Sequence, residues 1–260
     1  MQTVMFTETI FGPIHSRRLG TSLGVNLSPR DGKVCSFDCL YCEAGYNAQG
    51  KGTSGLPSRS EVKHLLEEKL KQMKADGQHL DVITFSGNGE PTVNPDFPEI
   101  IEDTIKLRDK YFPDVKVSVL TNSTMLHSPR VVQALRRVDN CLLKLDSAVQ
   151  ETISALDRPV SQSFTADKVI SQLKDFGPSA IIQTMFTRGS HDGNIVDNTT
   201  EAEINALINA YREIKPREIM IYSLDRPTPE TNLKRVPRAE LDKIAAKITG
   251  ETGLPVTAVG

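Results

Sequence analysis

The chain of 260 residues has no tryptophan and only four cysteines. The missing tryptophan excludes nothing. No apolar run approaches the roughly 18 residues of a membrane-spanning helix, so no membrane is expected. Residues 1–10, MQTVMFTETI, carry no secretory pattern. With so few cysteines, that argues against a disulfide framework and for a reducing, cytoplasmic setting. Neither charge is in surplus: 31 Lys and Arg face 33 Asp and Glu, for a net charge of −2. That balance excludes broad non-specific attraction to nucleic acid but leaves room for a local basic patch. What is present is ordinary for a folded protein, with 38% hydrophobic and 25% charged residues. The length exceeds the usual domain size but suits one α/β barrel, and no internal repeat or boundary is visible, so residues 1–260 are expected to form a single domain.

Three of the four cysteines stand within eight residues, Cys35-Ser36-Phe37-Asp38-Cys39-Leu40-Tyr41-Cys42. Three thiolates at this C-x3-C-x2-C spacing can point at one metal centre. Structural zinc usually takes four ligands in two pairs. A cubane iron–sulfur cluster has four irons and normally four cysteines. A compact group of three leaves one iron open, and an open coordination position is where chemistry happens. The spacing favours the cluster, with zinc and unligated thiols as the competing readings. Cys141, far downstream, reads as a buried strand residue.

Short apolar runs at 23–27, 82–85, 115–120, 141–145, 180–185 and 219–222 alternate with amphipathic stretches. Ser58 with Glu61 and Thr200 with Glu203 form capping boxes. Asp96 with Glu99 and Val236-Pro237 open two more helices, and Ser128-Pro129 puts proline at a first helical position. Six such units predict parallel strands with right-handed crossovers. They are too few for an eight-stranded barrel. In this class of fold sites form at the carboxyl ends of strands, and the cysteine loop follows the first run. Residues 47–57 and 187–199, both rich in small and polar residues, read as long loops on the same face.

The second run ends in Ser86-Gly87-Asn88-Gly89-Glu90-Pro91-Thr92. Its glycines admit a close approach to the backbone, Glu90 supplies a negative group, and Pro91 stiffens the turn. With the cysteine motif, this segment resembles the GGEP element of the radical S-adenosylmethionine (SAM) superfamily, here spaced as G-N-G-E-P. The resemblance implies an α/β fold, a partial (β/α)6 TIM-like barrel. It implies a 4Fe-4S cluster on Cys35, Cys39 and Cys42, with SAM chelating the open iron and being cleaved to a 5′-deoxyadenosyl radical. It also implies that Gly87, Asn88, Gly89 and Glu90 border the SAM amino group and that Tyr41 meets adenine through its backbone. Asn122, Ser123 and Asp146 are the ribose candidates, and Gln183 is a further strand-end candidate. Ordinary strand-end hydrogen bonds are the competing reading for each.

Two further segments, 11–26 with FGPIHSRRLG and 221–227 with IYSLDRP, are similar to radical SAM proteins related to wyosine tRNA-guanine synthases. Those enzymes hold a second cluster on extra cysteines, and residues 1–34 here contain none. The resemblance therefore points to a shorter branch, acting on a tRNA base or nucleotide. The alternatives are a small molecule or peptide as substrate, or a non-catalytic iron–sulfur scaffold or electron carrier. No flavodoxin-like stretch is present, so an external one-electron reductant of flavodoxin or ferredoxin type is expected. For an anionic substrate the candidates are His15, Arg17, Arg18 and Arg226, expected to gather at one barrel mouth. Lys144, at a strand end, is a candidate Schiff-base lysine or a partner of Glu90 or SAM.

Overall fold

The computed structural model describes residues 4–16 and 19–259. Strand β1 (Ile10–Ser16) runs antiparallel to β2 (Gly20–Val25). Helices and strands then alternate: α1 (Arg59–Ala75), β3 (Val82–Phe85), α2 (Phe97–Tyr111), β4 (Lys116–Thr121), α3 (Pro129–Leu135) and β5 (Asn140–Lys144). Two short helices, α4 (Gln150–Leu156) and α5 (Ala166–Lys174), lead to β6 (Ala180–His191) and β7 (Asn194–Asp197). The chain closes with α6 (Glu201–Ile214), β8 (Glu218–Ser223), β9 (Lys234–Arg235), α7 (Arg238–Thr252) and β10 (Val256–Val259). The sheet order is β1-β2-β3-β4-β5-β6-β8-β10, and every neighbour from β2 onward is parallel.

This is the expected α/β architecture, with the six apolar runs as β2, β3, β4, β5, β6 and β8. β10 extends the parallel series past the six expected strands, and β1 and β10 are the sheet's two edges. The helices start where their caps are. The Ser58 hydroxyl accepts from the Glu61 amide and that of Thr200 from the Glu203 amide, each satisfying a donor of the first turn. Behind the Ser58 cap, α1 buries Val62, Leu66, Leu70 and Met73, a stripe at helical spacing.

The strands alternate between two environments. Leu23, Val25, Ile83, Phe85, Val117, Val119, Cys141, Leu143, Ile182, Ile219 and Ile221 face the helices in the main core. Leu142, Ile181 and Met220 form a smaller cluster, and the intervening positions are largely polar. Ser22 donates to Thr84 at 2.7 Å, and Asn140 to Ser118 at 3.0 Å. Cys141 sits in the helix-facing core, 2% exposed, as its apolar surroundings predict.

Two expectations change. Residues 187–199 form a β-hairpin: His191 pairs with Asn194 across Asp192 and Gly193, both at positive φ. The Asp-Gly pair is the sequence signal for that turn. Residues 47–57 are a loop, but a fastened one, since Thr53 and Ser54 give Asp31 four hydrogen bonds of 2.6–3.0 Å. Among the described residues, no helix is long and apolar enough to cross a membrane.

The fully buried Phe85 meets Phe97 edge-on at 6.2 Å between β3 and α2. Phe85→Ala is expected to cost about 3–5 kcal/mol through the cavity it leaves. Thermal denaturation followed by circular dichroism should show Tm lower by about 6–20 °C.

Candidate active site

The cysteine loop leaves the carboxyl end of β2 and is gripped by backbone on both sides. On one side Val34 bridges Gly89 in parallel, and the Glu90 amide donates to the Val34 carbonyl at 3.0 Å. On the other, Phe37 bridges Pro159. The Val160 amide donates to Ser36 at 2.9 Å, Asp38 donates to the Asp157 carbonyl at 3.1 Å, and Leu40 to that of Leu156 at 3.0 Å. Leu40 is fully buried against Leu156 and Val196. Inside the loop the buried Lys33 ammonium donates to the Gly45 carbonyl at 2.7 Å.

Cys35, Cys39 and Cys42 are half-buried. Burial, then the nearby Glu90, pushes the Cys35 thiol up to about 11. Burial pushes Cys39 up as well, against the pull of the Lys144 ammonium. Both also sense Cys42, so the three thiols share one neighbourhood. Such thiols lose their protons on coordination. Among the described residues, no three His, Cys, Asp or Glu side chains converge tightly enough to grip a single ion. Three thiols on one loop suit a cubane with one iron left open better than mononuclear zinc, which takes four ligands.

The G-N-G-E-P turn is built for protein contact. A Cβ on Gly89 would lie 1.9 Å from the Val34 carbonyl oxygen, and one on Gly87 would lie 2.2 Å from Asn26 Oδ1. The space expected to admit a ligand is filled by the cysteine loop and Asn26. Asn88 is likewise committed: its Oδ1 accepts from the Phe6 amide at 2.8 Å, and its Nδ2 donates to Phe6 and Pro29 carbonyls at 2.8 and 3.0 Å. Its side chain braces the N-terminal segment. Glu90 is buried, and burial pushes its carboxyl up despite four donors. Oε1 accepts from the Thr92 amide at 3.0 Å and from the Thr92 and Thr121 hydroxyls at 2.5 and 2.6 Å; Oε2 accepts from the Asn122 amide at 2.6 Å.

The strand ends of β4, β5 and β6 meet the same loop. Asn122 donates from Nδ2 to Ser36 Oγ at 2.9 Å and to Cys35 Sγ at 3.6 Å. Ser123, at φ 68°, donates to the Lys144 carbonyl at 3.1 Å. Asp146 accepts the Met185 amide at 2.9 Å on Oδ1, and its Oδ2 receives the Tyr41 hydroxyl. Gln183 points at Met220 Sδ, 3.8 Å away. The Lys144 ammonium lies 2.9 Å from Asp146 Oδ2, 2.6 Å from Asp157 Oδ1 and 3.4 Å from Cys39 Sγ. Its partners are therefore these aspartates and not Glu90. Burial works against its charge, but the two carboxylates push its pKa up, which disfavours the neutral amine a Schiff base needs. Asp157 was not foreseen, because it follows a short helix and carries no motif. The Asn26 and Thr121 side chains, missed likewise, look in the sequence like any strand-end polar residue.

The basic candidates separate. β1 is antiparallel, so His15 pairs with Thr21 at the start of β2 and is exposed at the amino end of the sheet. It does not share the mouth with the cysteine loop. Arg17 and Arg18 lie outside the described residues. Arg226 does reach the mouth, with its guanidinium 2.6 Å from Glu43, next to Cys42. A cavity of about 360 Å³ lies under segment 224–235, edged by Asp225, Arg226, Leu233 and Arg235. It shares Leu224, Asp225, Arg226 and Thr228 with a smaller hollow of about 70 Å³ lined by Tyr41, Met185 and Tyr222.

Gly89→Ala is expected to pry the turn from the Val34 carbonyl, at an overpacking cost of about 1–3 kcal/mol. The measurement is iron bound per chain after anaerobic reconstitution, alongside Tm, and both should fall. Gly250→Ala, in α7 with nothing within 4 Å of the added Cβ, should lower neither.

Comparisons with known proteins agree with this geometry. The chain is 29% identical over 274 residues to the UPF0026 protein slr1464 of Synechocystis, covering 95% of this chain and 94% of that one. It is 27% identical over 241 residues to a protein of Brachyspira hyodysenteriae named GTPase Obg; the match takes in 91% of this chain but spans only 33% of that protein's length. The solved structure of TYW1 with a lysine-pyruvate adduct bound superposes with a TM-score of 0.62 at 15% identity, over 90% of this chain and 75% of that one. That likeness is one of fold. The family model described as the Radical SAM superfamily matches residues 31–195, from the cysteine loop through the hairpin of β6 and β7. A match over more than half the chain, on the fold that carries the loop, decides the family: the chain belongs to the radical SAM superfamily, enzymes that work with a 4Fe-4S cluster and S-adenosylmethionine.

Proposed function

We propose that residues 1–260 act as one catalytic unit that removes a hydrogen atom from a nucleotide base, in tRNA or free. The cavity of about 360 Å³ in segment 224–235, which shares Arg226 with the smaller hollow lined by Tyr41, carries this reading. It is within the size of small-ligand pockets, and the guanidinium forks of Arg226 and Arg235 at its rim suit a phosphate. The exposed Arg226–Glu43 pair is weak enough for a substrate to displace.

Cys35, Cys39 and Cys42 are assigned to three irons, leaving the fourth to SAM. When bound, the cluster and SAM would supply the radical chemistry of hydrogen abstraction. The chain's own part is placement and shielding. The backbone of the Gly87–Glu90 turn is assigned to the SAM amino group, and Asn122, Ser123 and Asp146 to its ribose, with Gln183 a further strand-end candidate. Tyr41 and Tyr222 wall the inner hollow, away from the open outer cavity, and exclusion of water there would protect a radical. The electron is assigned to an outside carrier of flavodoxin or ferredoxin type, in the cytoplasm. A second reading, a small polar molecule or peptide, is favoured by Glu43, Asp225 and Glu230, which line the same hollows.

Anaerobically reconstituted protein should hold about four irons and four sulfides per chain. Cys35→Ala, Cys39→Ala and Cys42→Ala should each lose most of that iron and the visible absorption near it, while Cys141→Ala should keep both. Retention in Cys39→Ala with loss in Cys141→Ala would reverse the assignment.

The substrate class is read from 5′-deoxyadenosine release by reduced enzyme, with and without a cellular tRNA pool. The tRNA pool should raise release several-fold. Arg226→Ala should cancel that increase and leave uncoupled SAM cleavage near its parent value. Stimulation by a small-molecule extract and not by tRNA would support the second reading.

A further inference from the structure

Two side chains outside the cysteine motif aim hydrogens at its sulfurs. Lys144, from the end of β5, has its ammonium 3.4 Å from Cys39 Sγ. Asn122, just past the end of β4, has its Nδ2 3.6 Å from Cys35 Sγ. Sulfur is a large, diffuse acceptor, and both distances fall within its hydrogen-bond range.

Neither orientation is accidental. The Asn122 amide could point oxygen or nitrogen at the sulfur, and its neighbours decide which. Oδ1 accepts from the Thr124 amide at 3.1 Å and the Thr124 hydroxyl at 2.8 Å. A backbone N–H can only donate, so the oxygen must face Thr124 and the nitrogen must face Cys35. The Asn122 backbone is in turn pinned by Glu90 at 2.6 Å. Lys144 is held by Asp146 and Asp157, at 2.9 and 2.6 Å. An ammonium has three hydrogens. Its contacts with hydrogen-bond geometry are to Cys39 Sγ and the Tyr41 hydroxyl, while the two carboxylates hold it as ion pairs. The ammonium also stands 4.5 Å from the Tyr41 ring centroid, so an aromatic face backs it.

A donor aimed at a thiolate withdraws electron density from the sulfur and therefore from the iron it binds. A nearby positive charge favours the more negative, reduced state of a cluster. Hydrogen bonds to the sulfurs and local charge are among the levers that set the reduction potentials of such clusters. We propose that Lys144 and Asn122 are tuning donors to Cys39 and Cys35, raising the reduction potential of the cluster so that a one-electron carrier can reduce it. The proposal rests on the assignment of Cys35, Cys39 and Cys42 as its ligands.

The test is a potential. Parent protein, Asn122→Ala and the double variant Lys144→Met/Asp157→Asn are reconstituted with iron and sulfide. The double variant removes one charge of each sign, so the net charge of the group is unchanged, and Asp146 keeps its hydrogen bonds from the Met185 amide and the Tyr41 hydroxyl. Iron content is counted first, and the midpoint potential is then taken by redox titration followed by electron paramagnetic resonance, without SAM. Both variants should hold the parent's iron and titrate at a more negative midpoint, with the lysine variant shifted further. A full cluster at the parent midpoint in Asn122→Ala, or a positive shift in the lysine variant, would overturn the proposal. A lysine variant that cannot assemble the cluster counts against it too, because Lys144 would then belong to the holding structure. A parent protein that binds no iron at all defeats the ligand assignment itself, which separates that failure from this one.

Discussion

The site depends on a loop without regular secondary structure being held as firmly as a strand. Its first part borrows the sheet: Val34 pairs with Gly89 and receives the Glu90 amide, extending the parallel order past the end of β3. Its middle borrows the segment after α4, where Ser36, Asp38 and Leu40 exchange backbone hydrogen bonds with residues 156–160. Each such bond contributes only about 1 kcal/mol net, but together they fix where three thiols stand. Sites that must be held to fractions of an ångström need support of this kind.

That grip explains residues that otherwise look dedicated to a cofactor. Gly89 is small because the Val34 carbonyl occupies its side-chain position, and Gly87 because Asn26 does. Glu90 ties β3 to β4 through Thr121 and Asn122. Burying a carboxylate is costly unless donors surround it, and here four do. The turn and the cysteine loop are therefore one mechanical unit.

Charge is handled similarly deeper in the barrel. Lys144, Asp146 and Asp157 are nearly fully buried, and removing one partner from such a group costs about 3–5 kcal/mol. A cluster of charges this expensive is poorly explained by stability alone. It stands against Cys39 and Tyr41 at the end of the cysteine loop. On the outer side, the hairpin of β6 and β7 and segment 224–235 are joined by the His191–Glu230 pair at 2.6 Å. They raise a wall around a mouth that the bare strand ends would leave open.

The sequence by itself determined the chemistry and most of the scaffold. Cysteine spacing is a local property, so C-x3-C-x2-C was legible as a metal loop before any fold was known. Capping at Ser58 and Thr200 and the six apolar runs are local too, and they define the α/β alternation. Contacts between distant segments were not legible. Asp157 meets Lys144, and Asn122 meets Cys35, only because parallel strands bring their carboxyl ends to one face. β1 looked like a lead into the first strand, yet its antiparallel pairing sends His15 to the opposite end. The glycines of the turn signalled close approach, but what approaches is set by the packing of the cysteine loop. Local pattern records what a residue can do, and the tertiary structure decides which neighbour it does it to.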